Sequence, residues 1–406
     1  MSSFFSRAAA WAIKHRSKLP SWAQRLMESA ARNPDGFMGR MTGRLLGGGD
    51  APNTTAPEAD VRVYIAPTNY AGQGYLWARA LEAADDRVGA RNMAISLPGD
   101  YAFEADTPVP IAAFNSSAEW GELEWEAAQR FTHVLVEAER PMFGRRFGHD
   151  LRAEVAALEA AGVSVAYICH GNDIRDPDRH AALTPWSLFP DDPRTDFFRS
   201  EARANLALLT ELGGPVFIST PDLSADVPDA SWCPVIVDLV RFGGETPPVF
   251  ARDRVSVVHA SSDPFGKGSD YIEPALEPLI ASGLVDYRLV TSTPAAQMPS
   301  VFASADIVID QFRAGSYGVA ACEAMASGRV VVGHVMPLAR EFITRQTGLE
   351  LPIVEATPDT LRTVVEELAA DPARAREIAE AGRRYVSAVH SGAESARALV
   401  ERWIGV

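Results

Sequence analysis

Two stretches of the sequence place glycines at the start of a helix, one of them with a lysine, the arrangement that receives a phosphorylated ligand. The first is Lys267-Gly268-Ser269-Asp270, which follows the strand-like run 255–259 and precedes a helix from about Ile272. A lysine beside a glycine in such a loop reaches a diphosphate as a point charge. The second runs from 305 to 335. It reads as a β-branched strand Ile307–Ile309, a turn carrying Gly315 and Gly318, helix formers over Val319–Ala326, the stop Gly328 and a second strand at 330–332. A helix that starts at the carboxyl end of a parallel strand aims its free amides at whatever lies there, which suits a diphosphate. Glu323 falls about one and a half turns into that helix, so its carboxylate suits a ribose hydroxyl.

The amino-terminal half carries weaker candidates. Strand Val61–Ala66 ends at Pro67 and is followed by Asn69, Gly72, Gln73 and Gly74, then a helix through 76–84. Gly72 and Gly74 let a backbone approach an anion or sugar, or form a tight turn with no ligand. His170-Gly-Asn-Asp173-Ile-Arg175 follows an apolar strand at a carboxyl edge, where ligands gather. His170 is a candidate donor to a sugar hydroxyl or phosphate, and Asp173 and Arg175 are candidates for an acceptor. Arg145 and Arg146, between Phe143 and Phe147, either hold an acceptor phosphate or lipid headgroup or belong to a solvated loop. The triplet Asp176-Pro-Asp178 reads as a solvent turn in preference to a metal site, and no metal is expected. Residues 183–200 read as a long packed loop, a candidate lid.

These residues need a scaffold of alternating strands and helices, which means parallel, doubly wound sheets. Strands are expected at 61–66, 132–138, 164–169, 216–220, 255–259 and 287–290, and helices at 150–161, 360–370, 373–386 and 393–403. Asp371 and Pro372 are a helix N-cap and first helical position. The 406 residues, 47% hydrophobic and 22% charged, fit two domains that each bury a core. The expected division is an extension and linker at 1–60, a first domain at 61–232, a second at 233–390 and a terminal helix at 391–406 that crosses back to the first. Cys169, Cys233 and Cys322 lack metal or disulfide spacing, and no apolar run is long enough for a spanning helix. A cytoplasmic protein is expected.

Charge is unevenly spread. Residues 1–50 hold eight Lys or Arg against three acids, leaving thirty basic against fifty acidic residues in the remainder of the 38 and 53. An acidic body disfavours nucleic acid as partner. The head, 1–46, mixes Phe4, Phe5, Trp11 and Trp22 with these cations. It reads either as an amphipathic element for an anionic membrane surface or as a helical extension on its own domain. Gly47 to Glu58 is a linker by composition.

With these motifs in view, the sequence resembles the GT-B glycosyltransferases of the glycogen-synthase-like, mostly retaining group, which use nucleotide-sugars. The resemblance runs over about 61–401 and is strongest at 255–334. The family turn E-G-F-G-x-x-x-x-E-A-M-A-x-G is matched by GSYGVAACEAMASG. The resemblance implies two Rossmann-like domains facing across a cleft. It also implies ribose binding by Glu323, phosphate or sugar binding by the backbone of Ser316, Tyr317, Gly318 and Val319, and a diphosphate-binding role for Lys267. Gly72 and Gly74 match the family's amino-domain glycine loop, and His170 its active-site histidine. Two departures stand out. Gly315 occupies the position of the family's first glutamate, and no basic residue precedes Lys267 in HASSDPFGKG. Asp310 is the candidate replacement for the lost carboxylate, or else the cap of its loop.

The expected function is transfer of a sugar from a nucleotide-diphosphate sugar, a co-substrate, to an unknown glycan, lipid or small-molecule acceptor, with retention and with no metal or other cofactor. Lys267 and the Gly318 helix start stabilise the departing diphosphate, and His170 orients the sugar. The alternatives are a non-catalytic nucleotide-sugar-binding or regulatory protein, suggested by Gly315, and a nucleotide-sugar epimerase, for which no acid/base pair is identified.

Overall fold

The computed structural model describes residues 51–97, 101, 103–291 and 293–405. The expectation of a basic amphipathic head at 1–46 lies outside the described residues. The described chain forms two compact units. One contains residues 51–174, Asp196–Phe217 and the stretch from Leu399 onward, and the other contains Arg175–Thr195 and Ile218–Ala398.

The first sheet is built on strands β1 (Val61–Ala66), β2 (Val88–Ser96), β3 (Thr107–Pro110), β4 (His133–Glu137), β5 (Ser164–Cys169), β6 (Val216–Ile218) and β7 (Ser231–Trp232). Their order in the seven-stranded sheet is β3-β2-β1-β4-β5-β6-β7, and the ladders joining β3, β2, β1, β4 and β5 are parallel. The helices include α1 (Gln73–Ala84), α2 (Ile111–Ser116), α3 (Ala118–Ala128) and α4 (Leu151–Ala160). α4 begins where expected, with the Asp150 side chain accepting from the Arg152 amide.

The segment expected to be a linker is anchored over its described part. Trp120 Nε1 donates to Pro52 O at 3.0 Å, and the Thr54 amide donates to the buried Glu124 carboxylate at 2.9 Å. Composition suggested freedom; a buried acceptor removes it.

The chain then passes into the second unit through α5 (Pro177–Leu183), returns through α6 (Thr195–Leu212), and continues with α7 (Leu239–Phe242). The expected solvent turn at Asp176-Pro-Asp178 is the start of α5. Asp176 accepts from the Arg179 amide at 2.8 Å and Pro177 takes the first helical position. The expected loop at 183–200 is likewise part helix, since α6 begins at Thr195.

The second sheet has the order β12-β11-β10-β8-β9, all parallel, from β8 (Val255–Ala260), β9 (Val285–Val290), β10 (Ile307–Ile309), β11 (Val330–Gly333) and β12 (Val354–Glu355). Between and after these strands run α8 (Pro264–Lys267), α9 (Ser269–Ala281), α10 (Met298–Ala303), α11 (Val319–Ala326), α12 (Pro337–Thr347), α13 (Leu361–Ala370), α14 (Pro372–Val389) and α15 (Ala393–Leu399). Its core joins Val257, Ile307, Ile309 and Val332 to Leu276, Leu361 and Val365 of the covering helices. A strand buried on both faces carries apolar side chains in succession, which is why β10 and β11 read as unbroken β-branched runs. The ladders joining β3, β2, β1, β4 and β5 and all those of the second sheet are therefore parallel, the pattern of doubly wound α/β domains.

Candidate active site

In the second unit the loops after β8 and β10 lie side by side at the carboxyl edge of the sheet, and one carboxylate ties them together. Asp310, the first residue after β10, accepts from Lys267 Nζ at 3.0 Å through Oδ1 and from the Gly318 amide at 3.1 Å through Oδ2. The candidate cation and the candidate helix start are thus brought to one residue. Asp310 caps its loop and is 3% exposed.

α11 begins at Gly318, in front of which a side chain would meet open space. Among the described residues the amides of Val319 and Ala320 have no acceptor, so the helix start keeps free donors. Glu323 lies on the same helix, partly buried, and forms no hydrogen bond through its carboxylate among the described residues. Burial pushes its pKa up to about 7, against the opposing charges of Arg241 and Lys267.

The loop is held rigidly behind this front. Gln311 Nε2 donates to Ser316 O at 2.7 Å. Tyr317, expected among donor-binding residues, turns its ring inward: its hydroxyl lies 3.1 Å from His390 Nε2 and 3.2 Å from the Tyr385 hydroxyl. Because His390 Nδ1 donates to Val235 O at 2.7 Å, Nε2 is the acceptor from Tyr317. Burial pushes His390 down to about 4, so the ring is neutral.

Gly315 stands at φ +69°, where a Cβ would come within 2.6 Å of Met336 Cε. A glutamate does not fit there without displacing Met336.

His259, buried beneath the same edge, donates from Nδ1 to Ile309 O at 2.8 Å and accepts from Ser269 Oγ at 2.7 Å. From α5, His180 donates through Nε2 to Ala314 O at 3.0 Å, and Thr184 Oγ1 lies 3.0 Å from His334 Nε2. The stretch Arg175–Thr195 therefore braces the site loops of the second unit.

In the first unit, buried Glu137 ends β4 and organises the glycine loop. Its carboxylate accepts from the amides of Thr68 and Asn69, each at 3.0 Å. At Gly74 a Cβ would lie 2.5 Å from Asn92 Nδ2 and 3.1 Å from Glu137 Oε2, so glycine is required by close approach. Gly72, at φ +77°, forms the left-handed cap of α1.

His170 Nε2 faces Glu137 Oε1 at 3.5 Å, and the ring packs edge-on against Tyr70 and beside Trp77. At that separation Nε2 forms no hydrogen bond among the described residues.

The proposed acceptor-side charges are otherwise engaged. Asp173 caps its own loop, accepting from the His170 amide at 2.7 Å. Arg175 is buried and pairs with Asp222 at 2.7 Å, within the second unit. Arg146 pairs with Glu122 at 2.6 Å and lies over the Phe147 ring, while Arg145 is exposed.

Residues that the sequence reading passed over are Glu137, Glu139, Arg241 and Arg313. Glu139 is buried, receives the Cys169 thiol at 3.3 Å, and is pushed well above the usual carboxyl range by burial and by Asp173. The signal was an apolar strand that ends in Glu-Ala-Glu.

Residues 272–401 match a family model described as "Glycosyl transferase-like". Among solved structures, sucrose-phosphate synthase from Thermosynechococcus elongatus is similar at 14% identity and a TM-score of 0.55, covering 84% of this chain and 97% of that one. Anabaena HepE in complex with UDP and glucose is similar at 14% identity and TM-score 0.51, with 84% and 98% covered. HepE in complex with UDP-glucose is similar at 13% identity, the same TM-score of 0.51 and the same coverage. No curated protein sequence matches the chain. The fold is that of the GT-B glycosyltransferases. The glycosyl transferase-like match covers residues 272–401, about a third of the chain.

Proposed function

We propose that the protein transfers a sugar from a nucleotide-diphosphate sugar to an acceptor, with the diphosphate received by Lys267 and the start of α11. The observation that carries this reading is the Asp310 carboxylate, which fixes Lys267 Nζ and the Gly318 amide within 3.0 and 3.1 Å of its two oxygens. A departing diphosphate needs fixed positive groups aimed at the charge that develops, and a braced ammonium beside free helix amides supplies them without reorganisation. Glu323 receives the ribose hydroxyls. No resident metal enters the reading, because these protein groups take up the diphosphate charge.

In the transfer, the bond from the anomeric carbon to the diphosphate breaks and a bond from the acceptor oxygen to that carbon forms. The acceptor proton passes to the leaving diphosphate on the same face, which retains the configuration. His170, oriented by Glu137, positions a hydroxyl. Since the HepE structures contain UDP, glucose and UDP-glucose, a UDP-sugar is the first donor to test.

Thermal-shift measurements across UDP-, GDP- and ADP-sugars identify the donor, because a ligand that prefers the folded chain raises its melting temperature. With that donor, Lys267→Ala is expected to lower transfer by roughly 100-fold, and Glu323→Ala to weaken donor binding by about tenfold. Unchanged kinetics in both variants would remove the site. Donor binding without hydrolysis or transfer to any glycan, lipid or small-molecule acceptor would favour a binding module instead.

A further inference from the structure

The loop after β10 contains a buried cation that lies outside the family's motif. Arg313 is 3% exposed, and its guanidinium lies between two rings, 4.4 Å from the Phe265 centroid and 4.6 Å from that of Tyr271. Nη2 donates to Asp270 Oδ2 at 2.8 Å. Nε and Nη1, although buried, have no hydrogen-bond partner among the described residues. Leaving such donors unpaired is costly, and native proteins rarely do so without a reason. Two further buried groups on the same pair of loops share this condition, the hydroxyls of Ser261 and Ser316. Stacking fixes the plane of the guanidinium, which prepares its free edge for the paired oxygens of a phosphoryl group.

Position also matters. Phe265 lies two residues before Lys267, and the Arg313 side chain packs within 3.3 Å of where a Cβ would stand on Gly268. Arg313 is thus fastened to the loop that carries Lys267, although it comes from the next loop. No arginine or lysine precedes Lys267 on its own loop from Ser261 onward.

We propose that Arg313 is the second cation of the donor site, binding a phosphate of the nucleoside diphosphate together with Lys267. This rests on the donor reading given above and adds a residue to it. The guanidinium's role is to recognise the diphosphate, so it discriminates nucleoside diphosphates from monophosphates.

The test is calorimetric titration of the full chain with UDP, GDP and ADP and with the corresponding monophosphates. For the diphosphate that binds, Arg313→Ala is expected to weaken affinity by about 10- to 100-fold, and that for the monophosphate by less than about threefold. Arg313→Lys, which keeps the stem and the charge but loses the fork, falls between the two and serves if the alanine variant does not fold. Diphosphate affinity within twofold of wild type in either folded variant would make Arg313 a purely structural clamp and overturn the proposal. Lys267→Ala separates the two readings. If it weakens diphosphate binding while the Arg313 variants do not, only Arg313 is discarded. If the wild-type chain binds no nucleoside diphosphate, both are.

Discussion

Glu323 sits on α11 with its pKa raised by burial, a condition with consequences for stability and binding. A carboxyl group whose folded pKa lies above its ordinary value contributes full stability below that value and loses it as pH rises through the folded pKa. Here the window runs from 4.5 to about 7. Glu323→Gln removes the ionisable group. Its melting temperature relative to wild type is therefore expected to be higher at pH 8 than at pH 5, by about 2–4 °C for each kcal/mol relieved. The same variant should bind donor more weakly, since a charged acceptor of two hydroxyls is lost. Equal melting differences at both pH values would show that Glu323 is not held in a costly environment. Gly315 makes the opposite point. Restoring the family carboxylate with Gly315→Glu is expected to lower the melting temperature, because the backbone is left-handed there and Met336 occupies the space. A stable Gly315→Glu variant with higher transfer activity would refute this.

The charged candidates also show how far residues could be read from sequence. Lys267 was legible in the loop after β8, and Gly318 and Glu323 at the helix after β10, because each motif is local to its own strand-loop-helix unit. Arg175 and Arg146 were not, because their partners Asp222 and Glu122 are remote in sequence and only the fold supplies them.

At the level of elements, the strands that sequence revealed were β1, β4, β5, β6, β8, β9, β10 and β11, each with a short apolar or β-branched run within it. β2 escaped because Arg91 and Asn92 interrupt it. Asn92 is buried there, and the fold supplies partners for its donors: its backbone amide donates to Asp106 Oδ2 at 2.9 Å and its side-chain amide to Ile65 O at 3.1 Å, while Oδ1 has no partner among the described residues. Such compensation has no local signature. α5 did have one, Asp176 followed by Pro177, but the neighbouring charges suggested a turn. The β4 end has a testable role. Glu137 holds the glycine loop and faces His170, so Glu137→Gln should disturb both. Transfer is expected to fall by about tenfold or more while donor affinity stays within about twofold, because the donor residues lie in the other unit. A change confined to donor affinity would contradict that division of labour.

For the whole molecule, three histidines of the second unit, His180, His259 and His390, are each pushed by burial from 6.5 down to about 4. Between these values the unfolded chain binds protons that the folded chain does not. Stability from these groups is therefore complete above 6.5 and is lost as pH falls toward 4. The melting temperature of the chain is expected to drop between pH 7 and pH 5, and His390→Gln, although less stable at pH 7, should show a smaller drop. A melting temperature that is flat across this range, or an equal drop in the variant, would place the rings in a more permissive setting.

The excursion of Arg175–Thr195 into the second unit bears on how this enzyme can be dissected. A fragment cut at Cys233, where the sequence invites the knife, would leave His334 and the carbonyl of Ala314 without the residues that secure them, Thr184 and His180. Such a fragment would bring every motif of the proposed nucleotide pocket to the test tube and still lack the brace that holds its loops in shape. An autonomous donor half would have to be made by splicing 175–195 onto 218–398 with a short tether, so that the boundary follows the folded body rather than the order of synthesis.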